Sequence, residues 1–339
     1  MKQWVTNQDG LDKLRLVEVP EPTKLKEGEI LVEIHSVSLN YRDTEVCMGL
    51  YGHHKSINNE TEVVPNSDSC GLVVGVGSGG NELGLKKGDR VASIFNQTHV
   101  TGQVTAKDMA SGLGLPLNGC LTQYRVFPAY GLVKVPSYLT DDEAACLPIA
   151  APHRGSDKVV LLQGRGGVAI SGLQIAKALG LTAIITSSSD KKLELAKNLG
   201  ADHTINYKTT PNWDEVVLEL TDGRGADVIL ECGGAQTLSK SFRCVAFGGL
   251  ISAIGYLSGK EDGGGEDRLN ANVLALSRNV TFKGILNGPR DRFEEMLGLY
   301  EREQIRPVID RVFEFGKADE ALKYLFSGGH FGKVVVKVQ

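Results

Sequence analysis

The 339-residue chain has no C-x-x-C pair, few aromatic side chains and no long apolar run. Its six cysteines are scattered, which is typical of reduced thiols and not of a disulfide framework or a zinc finger. No run reaches the ~18 apolar residues that a membrane span needs, and the first residues lack the apolar core of a signal peptide. We therefore expect a cytoplasmic protein with no membrane segment.

The chain also lacks a strong excess of charge of either sign, since 37 lysines and arginines against 41 aspartates and glutamates give a net charge of −4. This balance makes a nucleic-acid partner unexpected. The hydrophobic share of 41% is ordinary for a folded protein and argues against disorder. Glycine is abundant, with 41 residues, about 12% against a usual share near 7%. The length predicts about two domains.

Two styles of patterning follow one another along the chain. The first third alternates apolar and polar residues in short runs, which predicts a small antiparallel barrel with strands at 14–19, 30–35, 70–76, 90–95, 123–127 and 132–135. Residues 97–118 are polar and glycine-rich, and we predict a long surface loop there.

From residue 159 onward, short apolar runs alternate with amphipathic segments of about ten residues. This alternation predicts an α/β fold with a parallel sheet covered by helices on both faces. The predicted strands are 159–163, 183–186, 203–206, 226–231, 250–254 and 280–286, and the predicted helices are 172–179, 190–199 and 212–220. The tail adds helices at 290–302 and 318–326 and strands at 312–315 and 333–338.

The strongest motif follows the first of these later strands. The run Gly164-Arg165-Gly166-Gly167-Val168-Ala169 matches G-x-G-x-x-A between a strand and a helix. Gly164 permits the tight turn, Gly166 lets the backbone approach a pyrophosphate, and Ala169 allows close packing of helix on strand. The helix then offers free N–H groups to phosphate. We predict a dinucleotide site here; a glycine-rich turn with no ligand is the alternative, and Arg165 either touches the pyrophosphate or points to solvent.

The next strand ends in three hydroxyl residues, Ser187, Ser188 and Ser189, with no carboxylate to bind the ribose hydroxyls of NAD. Asp190 comes later and has the position of a helix N-cap. Hydroxyls followed by Lys191 and Lys192 suit a 2′-phosphate, which favours NADPH. The lysines alone are also compatible with a solvated first helical turn.

Several motifs together resemble a zinc-independent member of the medium-chain dehydrogenase/reductase superfamily, close to quinone oxidoreductases. The resemblance spans nearly the whole chain and rests on residues 28–32, 39–43, 87–91, 143–148, 164–169, 199–202, 205–207 and 331–336. It implies a GroES-like β-barrel catalytic domain of residues 1–150 and 290–339, around a Rossmann domain of residues 151–289 with a doubly wound parallel sheet. It also implies a homodimer through the apolar edge strand at 280–286.

The resemblance also bears on metal binding. Zinc-dependent relatives use a cysteine where this chain has Asn40, a His-Glu pair where it has Ser67-Asp68, and a second cysteine near Ile149. Amide, hydroxyl and aliphatic side chains do not form a catalytic zinc site, so we expect no zinc. His53 and His54 are adjacent, and we expect a loop or surface role for them.

Without zinc, the resemblance implies hydride transfer from NADPH to an activated small-molecule acceptor, a quinone or an α,β-unsaturated carbonyl. It places Asn40 and Tyr51 near the nicotinamide and the acceptor, as hydrogen-bond donors to an oxygen that gains charge. Tyr51 could instead only pack on the cofactor, and Asp43 could contribute directly or only orient the loop around Asn40.

The remaining cofactor contacts are carried over by position. Lys192 and Tyr207 match positions near the adenosine phosphate and the adenine in similar reductases, and Ser187 and Ser188 belong to the same region. Others stand at carboxyl ends of strands, beside them, or in the C-terminal signature: Gly233, Gly255, Tyr256, Phe331 and Lys333.

One departure from the family stands out, because residues 151–158 are short and polar where relatives have about a dozen residues more, forming a helix under the nicotinamide. Two functions therefore stay open: a reductase of quinones or enones, and an NADPH-binding protein with impaired or no catalysis. The short segment is a natural variant, a splice form or an imperfect gene model. The identity of the acceptor is not encoded in any motif.

Overall fold

The computed structural model describes residues 1–51, 62–78, 83–148, 158–164, 166–259 and 271–339. The predictions for Arg165, for His53 and His54, for Ile149 and for nearly all of the short segment at 151–158 lie outside these residues. The chain divides into two compact units. We call Met1–Ala151 with Asn287–Gln339 the terminal unit, and Pro152–Leu286 the central unit.

The described strands, in chain order, are β1 Lys2–Val5, β2 Arg15–Glu18, β3 Glu29–Leu39, β4 Asp68–Val76, β5 Arg90–Ser93, β6 Tyr124–Pro128, β7 Leu132–Lys134, β8 Val159–Gln163, β9 Thr182–Ser187, β10 His203–Asn206, β11 Ala226–Glu231, β12 Val245–Ala253, β13 Thr281–Gly284, β14 Ile309–Glu314 and β15 Lys333–Lys337. The described α-helices are α1 Tyr41–Cys47, α2 Ala106–Met109, α3 Asp141–Ala145, α4 Gly167–Ala178, α5 Asp190–Asn198, α6 Trp213–Leu220, α7 Leu238–Cys244, α8 Ala271–Ser277, α9 Arg290–Glu303 and α10 Ala318–Phe326. No helix in the described part of the chain is long and apolar enough to cross a membrane.

The main sheet of the terminal unit has the order β14-β15-β3-β4-β5-β7, and β6 also pairs with β3, while β1 and β2 form a separate two-stranded sheet. The long strand β3 is its centre, because it pairs with β15, β4 and β6 along different parts of its length. Alternate residues of β3, such as Ile30, Val32 and Ile34, are fully buried in the apolar core. The pairs are antiparallel as predicted, except for β14 and β15, which run parallel.

The central unit holds a six-stranded sheet with the order β10-β9-β8-β11-β12-β13, and every pair in it is parallel. This is the doubly wound arrangement that the alternation of strands and helices predicts. The chain reverses its direction of winding between β8 and β11, and ligands of such sheets bind beyond the carboxyl ends of the strands at that point. The fold therefore directs attention to Gln163 and Glu231, the last residues of these two strands.

The prediction of a surface loop at 97–118 is wrong for much of that segment. It contains α2, and several of its side chains are buried, including His99, Leu113 and Leu115. Hydrogen bonds from Thr98 Oγ1 to Asp108 Oδ1 (2.7 Å) and from Thr105 Oγ1 to Asp108 Oδ2 (2.7 Å) satisfy its polar groups locally. A polar segment can therefore be buried here because most of its polar groups find partners within it.

Candidate active site

A cleft of about 310 Å³ lies at the carboxyl ends of the central strands. It is lined by Gln163, Gly164, Thr186, Tyr207, Pro211, Trp213, Cys232, Gly233, Gln236, Thr237, Lys240, Leu257 and Ser258. Three predicted cofactor residues are among them: Gly164, Tyr207 and Gly233. The cleft is thus where the switch of winding direction places a ligand.

The glycine loop leaves a helix terminus open beside this cleft. Gly164 has a φ of +92°, and a Cβ added to it would meet no heavy atom within 4 Å. Helix α4 begins with Gly167 and Val168, and Gly166 at its N-cap position has no side chain to bind the first N–H groups. By contrast, Thr105 caps α2 with its side chain. The uncapped N–H groups and the space at Gly164 fit a pyrophosphate.

A buried carboxylate organises the other wall of the cleft. Glu231 is 1% exposed, and its Oε1 accepts from the backbone N–H groups of Gly233 and Gly234 (both 2.9 Å) and from Thr237 Oγ1 (2.5 Å). Its Oε2 accepts from Gln163 Nε2 (2.7 Å) and from the Ser241 hydroxyl. The glycine loop after β11 is therefore held by a charge on the strand that precedes it. Glu231 is not among the residues predicted from the sequence, although its place at the end of a central strand was a usable signal.

Gly233 and Gly255 are glycines for a packing reason. A Cβ on Gly233 would lie 2.2 Å from Thr237 Oγ1, and one on Gly255 would lie 2.8 Å from the carbonyl oxygen of Cys232. A Cβ on the neighbouring Gly234 would lie 2.6 Å from the Cα of Tyr256. The loops after β11 and β12 therefore pack backbone against backbone. Their contact with a cofactor stays a prediction, as it does for Tyr256.

The region predicted to select NADPH lies at the ends of β9 and β10. Ser187 is buried, and its hydroxyl accepts from the backbone N–H of Ser189 (3.3 Å). The backbone N–H of Tyr207 donates to the carbonyl oxygen of Ser187 (3.1 Å). Asp190 is the first residue of α5, with Ser189 at the N-cap position, so its prediction as the N-cap is wrong by one residue. Its carboxylate accepts from Asn206 Nδ2 (2.7 Å).

A second polar cluster lies in the core of the terminal unit and joins three predicted residues. Asp43 Oδ2 accepts the backbone N–H of Asn40 (2.8 Å), and Lys333 Nζ donates to Asn40 Oδ1 (2.8 Å). Burial raises the pKa of Asp43 to about 6. Lys333 was predicted to approach the cofactor; the contact that the structure shows for it is with Asn40.

Two further members of this cluster, Asp68 and Asn66, are not among the predicted site residues. Asp68 is fully buried, with one oxygen accepting from Ser67 Oγ (2.7 Å) and the other 3.9 Å from Lys333 Nζ. Burial raises its pKa. Asn66 Nδ2 donates to the carbonyl oxygen of Ser38 (2.8 Å) and to Asp43 Oδ2 (3.3 Å). We call Asn40, Asp43, Asn66, Asp68 and Lys333 the polar cluster.

Tyr51 and Phe331, two further predicted site residues of the terminal unit, are not members of the polar cluster. Tyr51 packs against a small apolar cluster that contains Leu115, and its ring centroid lies 4.5 Å from the guanidinium carbon of Arg42. Phe331 is buried, and its backbone N–H donates to Asp310 Oδ1 (3.1 Å). A catalytic role for Tyr51 and a cofactor contact for Phe331 remain predictions.

The polar cluster offers a poor donor set for a metal ion. Its two amides and two carboxylates include none of the cysteine or histidine ligands that zinc prefers, and the ammonium group of Lys333 among them would repel a cation. Among the described residues, no group of three or more histidine, cysteine, aspartate and glutamate side chains is placed to hold a metal. The nearby Cys146 is buried, and burial raises the pKa of its thiol to about 12.

Comparison with known proteins places these sites in a family. Residues 167–302 match the family model described as zinc-binding dehydrogenase, and residues 26–137 match the alcohol dehydrogenase GroES-like domain. A zinc-type alcohol dehydrogenase-like protein of Schizosaccharomyces pombe is 40% identical over 342 residues, which cover 97% of this chain and 96% of the relative. The chain belongs to the medium-chain dehydrogenase/reductase family. It is therefore an oxidoreductase of that family, and the resemblance of its motifs to this superfamily is confirmed.

Solved structures agree with this assignment. A Sinorhizobium meliloti protein solved as a candidate alcohol dehydrogenase superposes with a TM-score of 0.88 at 37% identity, covering 99% of this chain and 98% of that one. The Escherichia coli quinone oxidoreductase, solved with NADPH, has a TM-score of 0.78 at 22% identity and full coverage of both chains, a likeness that shows the fold alone. The predicted fold class, a GroES-like domain with a Rossmann-like parallel sheet, is confirmed.

Proposed function

We propose that this oxidoreductase uses NADPH to reduce a quinone or an α,β-unsaturated carbonyl compound, without zinc. The observation that carries the proposal is the polar cluster, in which Lys333 holds Asn40 where zinc-dependent relatives have a cysteine ligand. Side chains that do not form a zinc site leave no Lewis acid to polarise an alcohol, and such a site suits an acceptor that is already activated.

The central cleft supports the cofactor half of the proposal. NADPH supplies the hydride when it is bound. The open N-terminus of α4 and the space at Gly164 would receive its pyrophosphate, while Tyr207 and Trp213 line the same cleft. Glu231 holds the loop that forms the opposite wall. The residues present therefore fit a dinucleotide.

The preference for NADPH over NADH rests on the end of β9. The one carboxylate that follows it closely, Asp190, is engaged with Asn206 at 2.7 Å. Hydroxyls of Ser187 and Ser188 and the ammonium of Lys192 are the groups that would receive a 2′-phosphate. The E. coli quinone oxidoreductase of the same fold was solved with NADPH, which is in keeping with this preference.

The acceptor half of the proposal rests on Asn40. Its side-chain Nδ2 is buried and makes no hydrogen bond within the described part of the chain. A buried donor without an acceptor costs free energy, on the order of 1–3 kcal/mol. That cost is recovered when the donor binds an oxygen that becomes negative as hydride arrives. We assign this role to Asn40, with Asp43 orienting its backbone.

We also propose that the protein is a cytoplasmic homodimer. In the described residues, β13 pairs on one side, with β12, and Phe282 on it is 45% exposed. An exposed apolar edge strand is a surface that a second strand covers. All six cysteines are free and buried, as suits a reducing compartment. Size-exclusion chromatography with light scattering would test the dimer, and a monomer at micromolar concentration would reject it.

Titration with NADPH and NADH, followed by fluorescence of Trp213 or by calorimetry, tests the cofactor first. We expect NADPH to bind tightly and NADH weakly. A panel of quinones and enones then tests turnover, with an Asn40→Ala variant expected to lose about 10²-fold in kcat. Asn198→Ala, at an exposed position of α5, is the control.

The outcomes separate the two candidate functions. NADPH binding with turnover that depends on Asn40 supports the reductase. Tight NADPH binding with no turnover of any acceptor would favour the NADPH-binding protein without catalysis. Binding of neither nucleotide would overturn both.

A further inference from the structure

Strand pairing brings a buried lysine next to Asn40. Val334 of β15 pairs with Leu39 of β3, so Lys333 lies beside Asn40 at the point where β3 ends. On the other side of β3, Asp68 pairs with Ser38. The side chain of Lys333 is only 9% exposed, an unusual position for an ammonium group.

The ammonium group of Lys333 has two partners in this core. It donates to Asn40 Oδ1 at 2.8 Å, and it lies 3.9 Å from Asp68 Oδ2. That oxygen of Asp68 makes no hydrogen bond within the described residues. The positive charge of Lys333 therefore offsets a carboxylate that is shielded from water, and removing one of the two charges would leave the other buried and unpaired.

The contact with Lys333 also determines how the Asn40 amide is turned. An ammonium group has three donors and no acceptor, so it can bind the amide oxygen and not the amide nitrogen. The nitrogen Nδ2 is then turned away from Lys333. It acts on Asp68 as a weak donor, which lowers the pKa of that carboxyl, although it closes no hydrogen bond of ordinary geometry within the described residues. An amide NH2 group has two N–H donors, so at least one of them is left for the acceptor.

We propose that Lys333 is a positioning residue for Asn40, fixing the amide so that its NH2 group faces the acceptor oxygen, and that Asp68 holds Lys333 in place. The inference rests on the proposed role of Asn40 as a donor. It differs from a cofactor contact of Lys333, because it predicts that NADPH binding is independent of this lysine.

Kinetics of Lys333 variants test the positioning role. Lys333→Met is expected to lower kcat at least about tenfold, with KM for the acceptor changed less. The dissociation constant of NADPH should stay within about twofold. Lys333→Arg keeps the charge and the donors and should recover most of the kcat. Lys337→Met, at an exposed position of the same strand, is the matched control.

A double variant asks whether Lys333 acts through Asn40. If it does, Asn40→Ala with Lys333→Met should be no slower than Asn40→Ala alone, because the two losses share one cause. Losses in kcat that multiply would overturn the proposal. A rise of tenfold or more in the NADPH dissociation constant of Lys333→Met would also overturn it and would restore the cofactor contact.

Urea unfolding gives a readout that needs no activity. Lys333→Met should lower the unfolding midpoint, and Asp68→Asn added to it should recover much of the loss, since both charges are then gone. The pair Lys333→Met and Asn40→Ala should show coupled midpoint shifts. Additive shifts in both pairs would overturn the proposal. Coupled shifts in a protein that reduces no acceptor would instead reject the proposed function and leave this arrangement standing.

Discussion

Replacing Glu231 by glutamine tests how the central cleft is held together. The carboxylate accepts five hydrogen bonds, from Gln163, Ser241, Thr237 and two backbone N–H groups of the glycine loop. Glutamine keeps the shape of the side chain, but it replaces one oxygen by a donor and removes the charge. The variant therefore tests how much the charge of Glu231 contributes to holding the wall of the cleft.

The magnitude follows from these bonds. A hydrogen bond to a charged group contributes about 1.5–3 kcal/mol and a neutral one about 1 kcal/mol, so four retained bonds lose a total of roughly 2–8 kcal/mol. The fifth donor, if left unsatisfied, costs about 1–3 kcal/mol more. Removing a buried charge returns part of this. We expect a net loss of about 3 kcal/mol in the free energy of unfolding.

The assay is urea unfolding at neutral pH followed by Trp213, which lies in the same cleft. With a slope of about 3 kcal/mol per molar urea, the loss corresponds to a midpoint lower by about 1 M. NADPH should bind at least about tenfold more weakly, because the loop at Gly233 is no longer fixed. Glu219→Gln, at an exposed position of α6, should change neither quantity. A midpoint shift below about 0.3 M for Glu231→Gln would refute the reasoning.

Three further changes have expected outcomes. Gly164→Ala should cost about 1–3 kcal/mol of stability through its φ of +92°, and NADPH titration should show weakened binding; unchanged affinity would contradict the loop's role. Lys192→Glu should weaken the binding of NADPH at least about tenfold and the binding of NADH by less than about threefold. Lys197→Glu, at an exposed position of α5, is the control. Equal losses of affinity for both nucleotides would count against a 2′-phosphate site. Burial raises the pKa of Asp43 to about 6, above the ordinary value near 3.9, so the fold favours its protonated form. Stability should therefore fall as pH rises from about 4 to 6, and Asp43→Asn should flatten that fall in urea unfolding; an unchanged slope would exclude Asp43 as its source.

Elements with a strong local signal could be predicted to the residue. The strands Val159–Gln163, His203–Asn206 and Ala226–Glu231 and the helix Ala318–Phe326 have the predicted bounds. Their apolar runs or helical periodicity are bounded by turn residues, so local composition determines where they begin and end. Short helices were missed, because one or two turns give no periodicity.

The candidate site also has one part that a local motif predicts and one part that only the folded chain brings together. The glycine loop with Gly164 is a local motif, and its backbone conformation follows from five or six consecutive residues. Asp68 and Lys333 are far from Asn40 in sequence, and only the pairing of β4 and β15 with β3 brings them together. No periodicity in a single segment encodes such a meeting, and the family resemblance supplied Lys333 with a different expected partner.

The cofactor cleft and the polar cluster should respond independently to mutation. The cofactor cleft relies on backbone N–H groups and on Glu231, all in the central unit. The polar cluster relies on side chains from β4, from β15, from α1 and from the residues just before α1 and β4, all in the terminal unit, with its own buried charges. The two hydrogen-bonded networks share no residue. Substitutions in one should therefore add in free energy to substitutions in the other. Cofactor affinity and turnover can then be changed independently, and a variant of Asn40 or Lys333 that loses turnover should still bind NADPH as the unaltered protein does.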